Sequence, residues 1–142
     1  MIGNEVRCLK KVGIFQLNEA SSKCQSLNAS QIVPRNRQET DDLVSTLLSL
    51  DLDLDNGYTW VSIGIQNTTK EGGWRDFTGR LLSYFNWLPN EPDNLGGNQS
   101  YAGFQISGLN GIGWADYSGM NKLNVICTRA RGHSQGKEYI IV

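Results

Sequence analysis

Three features of the sequence predict an α+β fold. A strand-like stretch precedes two segments of helical periodicity. That periodicity stops after Leu50, and the rest of the chain holds short apolar runs separated by many turn formers. Within residues 5–16, the stretch 12–15 is short and apolar and reads as a strand. In residues 17–27 the apolar positions Leu17, Ala20, Cys24 and Leu27 fall three and four apart, which places them on one helical face. Asn36 is placed to cap a second helix, with Glu39 three positions on as its capping-box partner. This helix is expected to reach Leu50, with Leu43, Val44, Leu47, Leu48 and Leu50 forming a broad apolar stripe. Residues 60–65, 102–106 and 124–128 follow as short strands.

Residues 66–100 are dense in Gly, Asn and Pro, among them Gly72, Gly73, Gly79, Pro89, Asn90, Pro92 and Gly97. All four tryptophans (Trp60, Trp74, Trp87 and Trp114) lie in or beside this loop-rich half. Loops carrying so many large apolar rings are expected to be packed, with the rings mostly buried, and packed loops point to a binding surface.

At 142 residues the chain suits one domain with a sizeable core. Thirteen Lys and Arg against 14 Asp and Glu give a net charge of −1, which excludes a broadly basic nucleic-acid binder. A hydrophobic content of 39% excludes a disordered chain. No apolar run approaches the roughly 20 residues that span a bilayer, so no membrane insertion is expected. Residues 1–20 lack the basic start and apolar run of a signal peptide, as a mature secreted chain also would. There is no internal repeat. The expected organisation is one domain over residues 1–130 and a C-terminal tail over 131–142, polar at first and ending in Tyr139-Ile140-Ile141-Val142.

The cysteines are Cys8, Cys24 and Cys127, an odd number that allows at most one internal bridge and leaves a thiol over. With no Cys-x-x-Cys pair and a single histidine, His133, in the polar tail, the chain cannot assemble a zinc site. The same scarcity leaves no base beside a nucleophile. A carboxylate-pair hydrolase on Glu91 and Asp116 is the remaining enzymatic reading, and the chain is expected not to be an enzyme. Asn28, Asn67 and Asn98 each begin an Asn-x-Ser/Thr sequon, which makes them candidate glycosylation sites and favours a secreted protein. The run 51–57 resembles the start of an EF-hand loop, but its sixth residue is Asn56 and its twelfth is Ser62, where Gly and Glu are required. In Glu91-Pro92-Asp93, proline fixes the backbone between two carboxylates, and Asp116 offers a third. Hard cations such as calcium take six to eight oxygen ligands, several of them carboxylate.

The order Asn86-Trp87, Pro89-Asn90-Glu91-Pro92-Asp93-Asn94, Gly113-Trp114-Ala115-Asp116 and Val125-Ile126-Cys127 resembles the second half of a C-type lectin-like domain. In the first half, Asn18-Glu19-Ala20-Ser21-Ser22-Lys23-Cys24 is similar to the family's first-helix motif, and Ile63-Gly64-Ile65 to its Ile-Gly-Leu signature. The resemblance covers about residues 6–130. It implies two helices, small antiparallel sheets and a long loop region that binds ligand. It also implies a Cys24–Cys127 bridge, and with it an extracellular setting. The family's second bridge would fall on Tyr101 and Gly119; here Tyr101 is expected to fill the volume Gly119 leaves. Cys8 sits where longer members carry half of an amino-terminal bridge. It is therefore free, or available to a preceding segment or another chain as a covalent or non-covalent partner.

The resemblance places the principal calcium site on Glu91, Asp93, Gln99, Ala115 and Asp116. Glu91 and Asp116 match the family, Gln99 replaces an acid, and Ala115 brings no oxygen. Three carboxylates remain, so weak calcium binding is expected through Glu91, Asp93, Gln99 and Asp116, which double as the ligand-binding residues. In the family a sugar diol ligates the ion and bonds to the same side chains. Here only Gln99 supplies an amide donor, and each lost hydrogen bond costs about 1 kcal/mol. The accessory site maps to Asn67, Glu71, Asn94 and Ser100, with one acid left. A glycan on Asn98 would stand on the rim of this site. The implied function is recognition of a glycan or glycoprotein through residues 66–120, and the alternative is calcium-independent protein binding.

Overall fold

The computed structural model describes residues 7–47, 54–55, 58–68, 72–94, 97–106, 113–130 and 140–141. The elements run β1 (Arg7–Gln16), α1 (Leu17–Gln25), β2 (Ser30–Gln31), α2 (Arg37–Leu47), β3 (Leu54–Asp55) and β4 (Tyr58–Gln66). They continue with β5 (Arg75–Asp76), β6 (Tyr101–Ile106), β7 (Gly113–Tyr117), β8 (Lys122–Ala130) and β9 (Ile140–Ile141). Two antiparallel groups, β7-β6-β4 and β8-β1-β9, meet at one parallel pair, Val61 opposite Asn124. The Asn124 amide donates to the Trp60 carbonyl at 3.0 Å and fastens this junction. The chain is α+β, as the periodicities imply. No helix among the described residues is long and apolar enough to cross a membrane.

β1 starts earlier than its apolar stretch: residues 7–11, with Cys8 and Leu9 fully buried, already pair with β8, and a register shift follows between Lys11 and Gly13. Helix α1 buries Leu17, Ala20 and Cys24 as the spacing predicts. It has no side-chain cap; its first amides, Leu17 and Asn18, donate instead to the carbonyls of Asn121 and Gly119. The helix ends at Gln25 rather than Leu27. The amides of Leu27 and Ala29 both turn back to the Cys24 carbonyl, and Asn28 takes a left-handed φ of 58°. Asn36 caps α2 by accepting from the Glu39 amide at 2.9 Å, while the Glu39 carboxylate reaches the Arg35 amide at 3.2 Å. The expected extension over residues 48–50 lies outside the described residues.

One core cluster joins Leu9, Ile32, Leu43, Leu47, Phe104 and Trp114 to the buried face of β4. A second surrounds Cys24 and Cys127, whose disulfide ties α1 to β8 across a Cα separation of 5.3 Å. Cys8 is a free thiol and fully buried. The Tyr101 ring lies over Gly119, where an added Cβ would come within 2.9 Å of it. An aromatic ring thus packs at the place where the family resemblance implies a second bridge. Trp114 is fully buried, whereas Trp60, Trp74 and Trp87 are only half-buried, contrary to the expectation for all four.

Asp76, 4% exposed, organises the turn after β5. Its Oδ1 accepts from the Thr78 amide at 2.9 Å, the Thr78 hydroxyl at 2.5 Å and the Arg80 amide at 3.2 Å; its Oδ2 accepts from Arg35 at 2.8 Å. Burial alone would raise its pKa, but these hydrogen bonds outweigh burial and bring it from 3.8 to about 2. A depressed carboxylate stabilises the fold fully above the unfolded pKa and loses that contribution as pH falls through the folded one. Asp76→Ala is expected to cost about 2 kcal/mol in urea unfolding at neutral pH. The gap between the two proteins should narrow from pH 4 to pH 2, the window the two pKa values define. An equal gap across that window would mean that the carboxylate contributes no charge-dependent stability.

Candidate functional site

The long loop is anchored to β7 before it reaches the acidic residues. The Trp114 amide donates to the Asn86 carbonyl at 2.8 Å, and the Leu88 amide to the Trp114 carbonyl at 2.9 Å. Trp87 meets Trp114 edge-on with centroids 5.6 Å apart, and Trp74 and Phe85 pack on Trp87 at 5.1 and 6.2 Å. From this anchor the chain turns at Asn90, in a left-handed conformation, and passes through a cis Glu91-Pro92 bond.

That turn brings Glu91, Asp93 and Asp116 together: one carboxylate oxygen from each lies within 4.8 Å of the others. Asp116, on β7, is 3% exposed and holds the loop in place. Its Oδ1 accepts from the Asp93 amide at 3.1 Å and its Oδ2 from the Asn94 amide at 2.7 Å. Asn94 extends the network, its side-chain oxygen accepting from the Gln99 amide at 3.0 Å. The Gln99 backbone is therefore tied to the acidic cluster through one intermediary. Ala115 is buried and offers the site only a methyl group.

Glu91 is half-buried, and its Oε1 is enclosed without a hydrogen-bond partner. Burial, a hydrogen bond shared with the Asp116 carboxylate, and the nearby charges of Asp93 and Asp116 push its pKa from 4.5 up to about 7. Three carboxylates at this spacing, one with an orphaned oxygen, suit a hard divalent cation, which would relieve both the repulsion and the missing partner. Glu91, Asp93 and Asp116 are the side chains placed to hold it.

Of the accessory positions, Asn67 donates its backbone N–H to the Ser100 carbonyl at 2.9 Å, the Asn94 side chain is already engaged, and Glu71 lies outside the described residues. Among the sequons, Asn28 and Asn98 are exposed and Asn67 is half-buried. His133 lies outside the described residues. The sequence reading missed the double acceptor role of Asp116, which depends on a distant pairing. It also missed Asp76, although Asp76-Phe77-Thr78-Gly79 carries a local turn signal.

Residues 15–129 match the family model described as the lectin C-type domain. Among solved structures, the carbohydrate-recognition domain of the mouse scavenger receptor C-type lectin is similar, with a TM-score of 0.71 at 21% identity, covering 89% of this chain and 92% of that one. The human scavenger receptor C-type lectin domain matches with a TM-score of 0.70 at 22% identity, covering 88% of this chain and 92% of that one. The C-type lectin CEL-I from Cucumaria echinata matches with a TM-score of 0.68 at 18% identity, covering 86% and 89%.

Proposed function

This chain belongs to the lectin C-type domain family, and from that premise we propose that it is an extracellular recognition module rather than an enzyme. It binds a glycan or glycoprotein ligand on the long-loop surface around Glu91, Asp93, Gln99 and Asp116, with a weakly held calcium ion. The observation that carries this reading is the convergence of three carboxylates within 4.8 Å on a loop that a buried Asp116 holds in place. Calcium bound there would offer open coordination positions to two neighbouring sugar hydroxyls. The family's setting and the exposed sequon residues Asn28 and Asn98 support secretion or an ectodomain, with the sequons as glycosylation sites.

Thermal unfolding tests the reading. Calcium at about 10 mM, against a dissociation constant of about 10⁻⁴–10⁻³ M, stabilises the native state by roughly 1.4–2.7 kcal/mol. The midpoint should therefore rise by several degrees over the EDTA control. The dependence on pH has a definite sign. Glu91 has a folded pKa of about 7, above its ordinary 4.5, so calcium-free stability is greatest below 4.5 and falls as pH rises through 7. Calcium must displace the Glu91 proton, so the calcium shift is larger at pH 8 than at pH 5.5. Ala115→Asn restores an oxygen donor and should enlarge the shift further. No shift at either pH, with no rescue by Ala115→Asn, would remove calcium from the proposal.

The second reading, calcium-independent protein binding, is favoured by a separate feature. Leu81 and Phe85 are 55% and 43% exposed on the same loop, beside the half-buried Trp74 and Trp87. Exposed apolar groups of this kind mark protein interaction surfaces.

A further inference from the structure

We propose that the loop surface running from Arg80 to Asp93 is a two-fold self-association face, and that the partner of its exposed apolar centre is a second copy of this chain. The inference deepens the calcium-independent reading by naming the partner, and it does not need the ion.

Contacts fix the order of side chains across this surface. At one end Arg75 faces Leu81 across a β-bridge, and the Leu82 amide donates to the Trp74 carbonyl at 3.1 Å. Trp74 packs on Trp87, and Phe85 stacks on Trp87 at an interplanar angle of 17°. At the other end the Glu91 amide donates to the Leu88 carbonyl at 3.0 Å, which sets the acidic cluster beside Trp87 and Leu88. The centre is therefore apolar, with Leu81 and Phe85 exposed, and it separates two charged ends.

Those ends have opposite sign. The basic end carries the half-buried Arg75 and the exposed Arg80. Asp76, next to Arg75 in sequence, is buried and paired with Arg35, so it does not offset them at the surface. The acidic end gathers Glu91, Asp93 and Asp116, with Asp93 exposed.

A partner of one sign would satisfy one end and be repelled by the other. A second copy related by a two-fold axis satisfies both. Arg80 of each copy then faces Asp93 of the other, and Leu81 and Phe85 of the two copies pack together at the centre. The net charge of −1 brings little long-range repulsion between copies. Few apolar side chains are exposed at the centre, so the dimer is a weak one, with a dissociation constant on the order of 10 µM.

The test is analytical ultracentrifugation of the full chain in EDTA at low salt, over a range of concentrations that brackets that constant. The parent should pass from monomer to dimer. Arg80→Glu and Asp93→Lys each place like charges opposite one another in a homodimer, and each should weaken it at least about tenfold. An equimolar mixture of the two variants should dimerise again, because Glu at position 80 then meets Lys at position 93 while the second contact keeps its native Arg80 and Asp93. That recovery also shows that both variants are folded. Phe85→Ser removes an exposed ring from the centre and should weaken the parent dimer about tenfold. Monomers at every concentration would overturn the dimer, and the calcium-independent reading would then require a partner of a different sequence. Self-association that neither charge reversal nor Phe85→Ser weakens, or a mixture that stays monomeric, would overturn it as well. EDTA removes calcium, so none of these outcomes depends on ion binding at the Glu91–Asp116 site.

Discussion

Replacing Cys24 and Cys127 together with alanine should lower unfolding stability by about 4–5 kcal/mol. The bridge spans 103 residues of sequence, so its removal restores a large loop entropy to the unfolded chain. Native domains of this kind hold about 5–15 kcal/mol in all, so a third or more of the stability is at stake. The location adds to the effect. Both cysteines are fully buried with Ala20 and Val125, so the bridge is also the centre of the smaller core cluster. Its loss separates α1 from β8, and α1 has no side-chain cap of its own. At the second place where the resemblance puts a bridge, the Tyr101 ring lies over Gly119, and packing there cannot restrict the unfolded chain. Changing both residues together avoids a stray thiol that could pair with Cys8. Urea unfolding should show a lower midpoint for the double variant. A loss below about 1 kcal/mol would mean that packing, not the cross-link, holds the two halves together.

The elements that sequence made legible are those whose signals are local. The Leu17, Ala20 and Cys24 spacing located α1, and Asn36 with Glu39 located the start of α2, because capping and periodicity act within a few residues. The ends of elements were less legible. α1 stops at Gln25, ahead of a turn that Asn28 completes in a left-handed conformation, and β1 begins at a mixed stretch, with Cys8 and Leu9 between Arg7 and Lys10, that pairing with β8 makes a strand. Burial of the tryptophans was half legible, since nothing local tells whether a ring faces the interior, as Trp114 does, or a surface cluster, as Trp74 and Trp87 do.

The candidate site shows the same division. Glu91 and Asp93 announce themselves as neighbours in sequence. Asp116 joins them through the pairing of β6 with β7 and the docking of Asn86 and Leu88 on Trp114. Motif order could propose that meeting, but only the fold shows Asp116 spending both oxygens on the loop.

Asp116 and Asp93 should therefore separate stability from ion binding. Asp116→Ala removes the acceptor of two backbone amides, those of Asp93 and Asn94, from a residue that is almost wholly buried. Each charge-assisted bond of this kind contributes about 1.5–3 kcal/mol. Relief of repulsion against Glu91 and Asp93 offsets part of the loss, leaving an expected cost of roughly 2–4 kcal/mol at neutral pH in EDTA. The offset acts once Glu91 ionises, so the cost should be larger at pH 5.5 than at pH 8. With the loop released and a carboxylate gone, calcium should no longer raise the midpoint. Asp93→Asn is a different change. Asp93 is exposed, and its backbone amide, which reaches Asp116, is retained. Calcium-free stability should stay within about 0.5 kcal/mol of the parent, while calcium affinity falls because one of three charges is lost. The new amide restores a hydrogen donor of the Glu-Pro-Asn type, so a mannose-type diol should gain whatever binding the ion still permits. Denaturation in EDTA and calorimetric titration with calcium, run on both variants, distinguish the roles. Equal stability losses in the two variants would show that Asp116 does not anchor the loop. Unchanged calcium affinity in Asp93→Asn would show that the ion, if bound, lies away from this cluster.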